Sequence, residues 1–232
     1  MRRLYPVPVD PVDPAEVYGE WPDGGARPGL RLNMIASADG ATTVAGLSGG
    51  LGGSSDRALF LLLRTLADVV LVGASTVRKE RYGPSSVPVA AVSRSCRFDW
   101  EAPFFTAQKA RPIVVTVARA PAPLRARAAE VADVVLAGEH DVDLARALDE
   151  LGAMGFRAVL SEGGPNLNTQ LAAAGLIDEL CLTVAPSLVG GDAKRILDGP
   201  ALPDRLPLRL RSLCEQDGFL FLRWRPGAAT PR

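Results

Sequence analysis

Short apolar runs recur along the chain from residue 30 onward, and amphipathic segments lie between several of them. A run of four to eight apolar residues bounded by polar or turn residues is typical of a β-strand. The runs predict nine strands, at residues 30–36, 69–73, 87–92, 112–117, 131–136, 158–160, 179–185, 206–213 and 219–224. Apolar residues at helical spacing predict helices at residues 54–67, 143–151 and 166–174.

The order of these elements predicts an α/β fold with a mixed, mostly parallel sheet flanked by helices in a single domain. Strands that alternate with helices are joined by crossovers, which favour parallel pairing. Only residues 214–218 separate the last two strands, so we expect an antiparallel hairpin at one edge of the sheet. Six prolines within residues 1–29 predict an irregular N-terminal arm before a domain that spans residues 30–232.

Composition narrows the class of partner. The chain has 232 residues, of which 47% are hydrophobic and 6% aromatic, and its 26 Lys and Arg residues balance 26 Asp and Glu residues. Without a basic block, binding to nucleic acid or to a membrane surface is not indicated, and we expect a small-molecule substrate. The first residues lack the apolar core of a signal peptide, and no run reaches the roughly 18 residues of a membrane span. We therefore expect a cytoplasmic protein.

The few cysteines and the single histidine argue against metal chemistry. Cys96, Cys181 and Cys214 are far apart and form no Cys-x-x-Cys pattern, so we interpret them as core thiols and expect no metal site. His140 lies in a polar turn, where a solvated histidine is the simplest interpretation. A zinc site, a disulfide framework and a Ser-His triad all lack support.

A glycine pair, Gly163-Gly164, separates a predicted strand from a predicted helix and is the strongest local signal. Residues without Cβ let backbone N–H groups approach a ligand, and a helix N-terminus carries partial positive charge. The pair therefore suits a phosphate or pyrophosphate. The alternative is that the glycines only make the strand-to-helix turn.

Polar groups also follow other predicted strands, where ligands of open α/β sheets gather. Ser75 and Thr76 could bind phosphate through their N–H groups or simply cap a short helix. Ser93-Arg94 and Arg119 could meet a 2′-phosphate, although a surface arginine is usually only solvated. No Gly-x-Gly-x-x-Gly or P-loop pattern follows any strand, so a Rossmann-type site is excluded.

Four carboxylates are candidates for substrate contact or proton transfer: Asp39, Asp56, Glu80 and Glu162. Asp56 follows Ser54-Ser55 at the start of an apolar helix, where it could instead compensate the helix dipole. Glu162 beside the glycine pair could instead bond to the local backbone.

Several motifs resemble those of the pyrimidine reductases of riboflavin biosynthesis, the reductase half of the bifunctional deaminase-reductase, which share the dihydrofolate reductase fold. The residues that carry the resemblance occur in order at 33–40, 63–76, 161–167 and 175–191. They include Ser37-Ala38-Asp39-Gly40 and Ser161-Glu162-Gly163-Gly164-Pro165. The resemblance runs from about residue 30 to the end of the chain.

The resemblance implies a homodimer that binds NADPH and reduces the ribosylamino group of a phosphorylated aminopyrimidine, 5-amino-6-(5-phosphoribosylamino)uracil, at C1′ of the opened sugar. The implied cofactor contacts are Ala36 at the nicotinamide, Ser93 and Arg94 at the 2′-phosphate, and Gly73, Ser75, Thr76, Gly163, Gly164, Pro165, Asn166 and Leu167 around the pyrophosphate. As candidates for substrate contact we take Asp39, Ser55, Asp56 and Glu80, and as catalytic residues that handle protons Asp56, Glu80 and Glu162.

Three departures from the family pattern bear on the substrate. The zinc-binding deaminase motif does not occur, the lysine usual after Asp-Gly is Ala41, and the aspartate usual near the end of the Gly-x-x-Thr segment is Glu80. Arg57, Arg78 and Arg81 are the cations that could replace the lysine. Asp56 also lies near the helix position where dihydrofolate reductases bind the pterin, so a dihydrofolate or pterin reductase is one alternative. A non-catalytic NADPH-binding dimer is the other.

Overall fold

A ten-stranded mixed sheet forms the centre of the molecule, within the residues described by this computed structural model: 1–44, 46–80 and 82–227. The strands are β1 (Arg2–Tyr5), β2 (Gly29–Ser37), β3 (Val69–Gly73), β4 (Val89–Val92), β5 (Ile113–Thr116), β6 (Asp133–Leu136), β7 (Ala158–Ser161), β8 (Glu179–Ala185), β9 (Leu208–Gln216) and β10 (Phe219–Pro226). Their order is β1-β9-β10-β8-β2-β7-β3-β4-β5-β6. The seven strands from β8 to β6 run parallel, and β10, β9 and β1 add antiparallel pairs. The predicted α/β fold with a mixed, mostly parallel sheet is confirmed.

Helices cover both faces of this sheet. They are α1 (Pro14–Tyr18), α2 (Ser54–Thr65), α3 (Ala74–Lys79), α4 (Pro103–Thr106), α5 (Ala122–Val131), α6 (Leu144–Ala153) and α7 (Pro165–Ala173). Buried side chains of α1 to α5 join one core cluster, and those of α6 and α7 join the other. The three predicted helices correspond to α2, α6 and α7.

The alternation of side chains along β3 shows why its sequence is apolar throughout. Val70 and Val72 belong to the core on one side, whereas Val69 and Leu71 belong to the core on the other. A strand covered on both faces cannot carry a polar side chain without burying it, so the usual alternation of apolar and polar residues disappears. This central position fixes the carboxyl end of β3 between the ends of β7 and β4.

The first 29 residues, predicted as an irregular arm, contain one short strand and one short helix between irregular segments. β1 pairs with β9, and Val12, Val17 and Tyr18 are buried. One of the six prolines in this segment, Pro14, opens α1, whose N-cap is Asp13. Because β1 covers β9, the C-terminal hairpin exists as predicted but does not form the edge of the sheet.

A buried ion cluster fastens this N-terminal segment to the sheet. Arg31 Nε lies 2.7 Å from Glu179 Oε1, and Arg223 Nη2 lies 2.8 Å from Glu179 Oε2, with the Arg31 and Glu179 side chains fully buried. Arg31 also donates to the carbonyls of Tyr18 and Glu20, at 3.0 and 2.7 Å. Burial acts to raise the pKa of Glu179, but the charges of Arg31 and Arg223 outweigh it and lower that pKa.

The cysteines and the histidine occupy the environments that the sequence predicts. Cys96, Cys181 and Cys214 are free thiols and are buried, so the interpretation as core residues is confirmed. His140 is exposed in the loop that follows β6. Within the described part of the chain, no helix is both long enough and apolar enough to cross a bilayer.

Candidate cofactor and substrate site

A cleft of about 570 Å³ opens at the carboxyl ends of the parallel strands. Its walls come mainly from the segments that follow β2, β3, β4, β6, β7 and β8. Most of the predicted site residues line it: Gly73, Ser75, Thr76, Glu80, Ser93, Arg94, Glu162, Gly164, Pro165, Asn166 and Leu167. The fold therefore brings together residues that are up to 94 positions apart in the chain (167 − 73).

Two strand-to-helix turns meet in this cleft. The N–H of Gly73, at the end of β3, donates to the carbonyl of Gly163 across 2.7 Å, and the N–H of Glu162 donates to the carbonyl of Leu71 across 3.0 Å. A Cβ on Gly164 would lie only 2.7 Å from Thr76 Oγ1. Gly163 has φ of +84°, which favours glycine. The geometry of the turn therefore requires both glycines. Because they have no side chains, they also leave the backbone accessible to a ligand.

The helices that begin at these turns start with unshared backbone donors. α3 and α7 have Gly73 and Gly164 as N-caps, and neither cap residue supplies a side chain to the first N–H groups. Such N–H groups need an external acceptor, which water or an anion can provide. A dinucleotide diphosphate fits this pair of turns, because glycine permits close approach and the donors converge on one cleft.

Cations lie at the rim of the cleft. Arg94 follows β4 and is largely exposed, and its Nη1 lies 2.8 Å from Asp141 Oδ1. Arg78, Lys79 and Lys194 also line the cleft. These side chains provide the charge that a phosphorylated cofactor or substrate requires.

Glu162 is buried against two partners on other elements. Its carboxylate accepts from Arg64 Nε at 2.6 Å and from Arg64 Nη2 at 2.7 Å, and it also accepts from the Tyr82 hydroxyl. Burial and then the charge of Glu162 raise the pKa of Tyr82 well above its ordinary value. The hydroxyl therefore remains a proton donor to Glu162 over the neutral range.

Asp39 lies outside the described lining of the cleft and clamps a neighbouring loop. Its exposed carboxylate accepts from Ser37 Oγ, from the N–H of Val189 and, at 2.7 Å, from the N–H of Gly190. The Ser37 hydroxyl and these two N–H groups lower the pKa of Asp39 to about 2. The clamp joins the end of β2 to the loop that follows β8.

The first turn of α2 holds the other two predicted substrate residues, which also lie outside the described lining. The Asp56 carboxyl is half-buried and hydrogen-bonded to Thr183 of β8. Burial raises the pKa of Asp56, against the opposing effect of the Thr183 hydroxyl. Ser55 Oγ is buried without a hydrogen-bond partner among the described residues. The first turn of α2 therefore places a carboxyl of raised pKa next in sequence to a buried hydroxyl that has no hydrogen-bond partner among the described residues.

The remaining candidates have other surroundings. Ala36 is buried at the end of β2, outside the described lining, and Arg119 pairs with Glu139 at 3.0 Å. Among the cations that could replace the missing lysine, Arg78 lines the cleft, Arg57 is exposed on α2, and Arg81 lies outside the described residues.

Sequence reasoning missed several residues of the site. Asp141 and Lys194 line the cleft after β6 and β8, and the rule that ligands gather at carboxyl ends predicts both once it is applied to every strand. Thr42 and Thr43, which also line the cleft, follow Asp39-Gly40 after one intervening residue, Ala41. Arg64 and Tyr82 carried no local signal, since their partner Glu162 is 98 and 80 positions away.

Comparison with known proteins identifies the family. The profile of the RibD C-terminal domain matches residues 28–218, most of the chain. The protein belongs to the RibD C-terminal domain family. The family resemblance seen in the sequence motifs is thereby confirmed.

Relatives and solved structures agree with this membership. The chain is 31% identical over 191 residues to the 2,5-diamino-6-ribosylamino-4(3H)-pyrimidinone 5′-phosphate reductase of Methanothermobacter thermautotrophicus, covering 77% of this chain and 87% of the relative. It is 29% identical to the reductase of the same name from Aquifex aeolicus, covering 70% and 78%. The crystal structure of a pyrimidine reductase-like protein from Corynebacterium diphtheriae aligns with a TM-score of 0.78 at 28% identity, over 93% of this chain and 99% of that one.

Membership in a family of reductases makes this protein an oxidoreductase of the riboflavin-pathway type with a small-molecule substrate. It also implies a nicotinamide cofactor, and the cleft fits one. The two glycine turns accommodate a diphosphate, and the rim carries phosphate-binding cations.

Proposed function

We propose that this protein is an NADPH-dependent reductase of a phosphorylated ribosylaminopyrimidine. The reaction reduces C1′ of the opened sugar and gives the ribitylamino product, with the bound nicotinamide supplying the hydride. Family membership supports the reaction type, and the relatives from Methanothermobacter and Aquifex are named for a substrate of this class.

The observation that carries the proposal is the contact between the two glycine turns. Gly73 and Gly163 are joined backbone to backbone at 2.7 Å, and Gly164 packs where a Cβ would meet Thr76. We assign the diphosphate of NADPH to these turns, together with the N–H groups of Ser75 and Asn166. The protein orients the reactants here rather than contributing chemistry of its own.

We propose that the protein prefers NADPH to NADH because of the residues that follow β4. Ser93 and Arg94 line the cleft, and a guanidinium suits a 2′-phosphate because it donates two parallel hydrogen bonds. In free protein Arg94 is paired with Asp141. We expect NADPH to bind more tightly than NADH, and isothermal titration of both cofactors measures the difference.

The substrate side of the site is proposed from the first turn of α2 and from the rim. Asp56 supplies a carboxyl for a pyrimidine ring edge, Ser55 beside it would contact the substrate once its buried hydroxyl is uncovered, and Glu80 lies on the cleft wall at the end of α3. Ala41 is buried and cannot bind the substrate phosphate. We assign that role to the cleft cations Arg78, Lys79 and Lys194.

Two pyrimidines are candidate substrates. The sequence resemblance implies the aminouracil, whereas the relatives are named for the diaminopyrimidinone. These differ by one exocyclic amino group in place of an oxygen. The names of the relatives favour the diaminopyrimidinone, and parallel assays with both compounds decide between them.

Transfer of label tests the reaction directly. Incubation with NADPH deuterated at the nicotinamide C4 should move deuterium to C1′ of the sugar, and mass spectrometry of the product detects it. Homodimeric assembly and a cytoplasmic location are part of the same proposal. Light scattering of the purified protein and fractionation of cells test them.

A second candidate, reduction of dihydrofolate or a pterin, is favoured by the environment of Asp56. A half-buried carboxyl bonded to a threonine hydroxyl, with its pKa raised by burial, suits an aminopyrimidine ring that can share a proton. A third candidate function is NADPH binding without turnover. It would use the same cleft, and it differs from the first two in that no product forms.

A further inference from the structure

The carboxylate of Glu162 is fully engaged by residues that do not line the cleft. Arg64 donates to both oxygens, at 2.6 and 2.7 Å, and Tyr82 donates to one of them. Only 4% of the Glu162 side chain is exposed, compared with 18% for Arg64. A proton on either oxygen would displace one of these donors, so the arrangement favours a fixed anion over a proton carrier.

Aromatic rings hold the guanidinium in place. The Arg64 Cζ lies 4.5 Å from the ring centroid of Phe60 and 5.3 Å from that of Tyr82. Stacked and bidentate guanidinium groups have few alternative orientations. Burial acts to lower the pKa of Arg64, but the hydrogen bond and the charge of Glu162, together with Tyr82, outweigh that effect and raise it, so the guanidinium stays charged.

The cluster joins three segments around the cofactor cleft. Arg64 belongs to the last turn of α2, Tyr82 follows α3, and Glu162 directly precedes Gly163. Glu162 is also the residue whose N–H donates to Leu71, while Gly163 accepts from Gly73. Side-chain and backbone anchors thus act on adjacent residues of a turn whose glycines have no side chains to hold them.

We propose that Arg64 and Tyr82 are positioning residues that act through Glu162 to hold the Gly163-Gly164 turn in its cofactor-binding geometry, and that Glu162 is not the proton donor. This inference rests on the proposed NADPH-dependent function. It replaces the sequence-based assignment of Glu162 as a catalytic acid with a role in which its charge is used inside the protein. Because the turn is preorganised, the cofactor does not have to order it on binding.

The test compares NADPH affinity with turnover in four variants. Arg64→Met removes the two guanidinium donors to Glu162, leaving the Tyr82 hydroxyl, and should raise the Kd for NADPH about tenfold or more, as expected for loss of charge-assisted hydrogen bonds. Arg64→Lys keeps the charge and should recover part of the affinity. Tyr82→Phe removes one donor and should raise the Kd about two- to fivefold. Glu162→Gln should raise the Kd while leaving the pH dependence of kcat unchanged.

Exposed Arg111, which precedes β5 at the opposite end of the sheet and pairs with Asp133 at 3.0 Å, supplies the matched control. Arg111→Met removes a guanidinium from a pair that is 49% and 51% exposed, and it should leave the Kd for NADPH unchanged. Thermal unfolding without cofactor checks that each variant is folded. Should Arg64→Met fail to fold, Tyr82→Phe carries the comparison, since it removes only a hydroxyl.

Two results would overturn the inference. One is an unchanged Kd for NADPH in folded Arg64→Met or, where that variant does not fold, in Tyr82→Phe. The other is a Glu162→Gln variant whose kcat falls more than about a hundredfold at unchanged Kd, with loss of one limb of the pH profile, as for a general acid. A wild-type protein that binds NADPH without reducing any substrate would reject the proposed function alone, because the Kd comparison needs no substrate.

Discussion

The N–H of Gly73 donates to the carbonyl of Gly163 across 2.7 Å, which joins the end of β3 to the turn after β7. These strands are neighbours in the sheet, so both turns emerge at the same edge. At this contact the turns that begin α3 and α7 meet, with the first N–H groups of both helices unshared by cap side chains. We infer that NADPH binds across this junction.

Gly164→Ala should weaken NADPH binding more than it weakens folding. The new Cβ would lie 2.7 Å from Thr76 Oγ1, so the turn or the threonine must shift in the part of the cleft assigned to the diphosphate. We expect the Kd for NADPH to rise at least about tenfold, a cost of about 1.4 kcal/mol. Isothermal titration measures the affinity, and thermal unfolding without cofactor measures the stability.

Gly49→Ala is the matched control for Gly164→Ala, because a Cβ at Gly49 meets nothing within 4 Å. Its affinity for NADPH should equal that of the wild type. The prediction for Gly164 fails if the variant loses stability while its folded fraction binds NADPH normally.

Asp56→Asn should abolish most turnover and leave NADPH bound. The half-buried carboxyl lies at the start of α2 beside Thr183, outside the described lining of the cofactor cleft. Loss of a group that contacts the substrate ring or transfers its proton typically costs about 10²–10⁴-fold in rate. Steady-state kinetics and NADPH titration on the same preparation separate the two effects.

Thr183→Val tests the role of Asp56 through its hydrogen-bond partner. The Thr183 hydroxyl lowers the pKa of Asp56, so its removal should move the limb of the pH–rate profile governed by Asp56 to higher pH. An unchanged turnover rate in Asp56→Asn would show that Asp56 neither contacts the substrate nor transfers its proton.

Asp39 should make the stability of the protein depend on acid pH. Its pKa is about 2 in the folded protein and 3.8 ordinarily, so folding is favoured by the ionised form. The stabilisation is present above pH 3.8 and is lost as the pH falls through about 2. Urea unfolding should therefore show wild type more stable than Asp39→Asn at neutral pH, with the gap closing toward pH 2. A gap that stays constant over this range would contradict the clamp.

Glu179→Ala should destabilise the fold strongly by leaving Arg31 and Arg223 buried without their counter-charge. Breaking a buried ion pair by removal of one partner costs about 3–5 kcal/mol. Urea unfolding measures the loss, and Glu139→Ala in the exposed pair with Arg119 serves as the control, with a change of at most about 1 kcal/mol. A loss below the control value would show that the cluster does not hold the N-terminal segment.

The sequence predicted the sheet where burial dictates residue type and failed where long-range pairing decides structure. β3 is apolar on both faces, so its run was unambiguous. β1 reads Arg2-Arg3-Leu4-Tyr5 with no alternation, and its strand conformation depends on pairing with β9 from the other end of the chain. α5 is rich in alanine and arginine with only Ala128 buried, so it carried little apolar periodicity.

The candidate site shows the same division. The glycine pair and the serines after β3 and β4 were predictable, because turn chemistry and strand ends are local features. The partners of Glu162 were not, because Arg64 and Tyr82 reach it only through the packing of α2 and of the segment after α3. Asp39 illustrates the converse: its motif is local, but its hydrogen bonds go to a loop about 150 residues away.

The most direct test of the account is NADPH oxidation by the purified protein, followed by nicotinamide absorbance, with phosphoribosylaminopyrimidine and with dihydrofolate in parallel. We predict rapid oxidation with the pyrimidine, together with formation of the ribitylamino product. Oxidation with dihydrofolate alone, or with neither compound despite NADPH binding, would contradict the proposed pyrimidine reductase function.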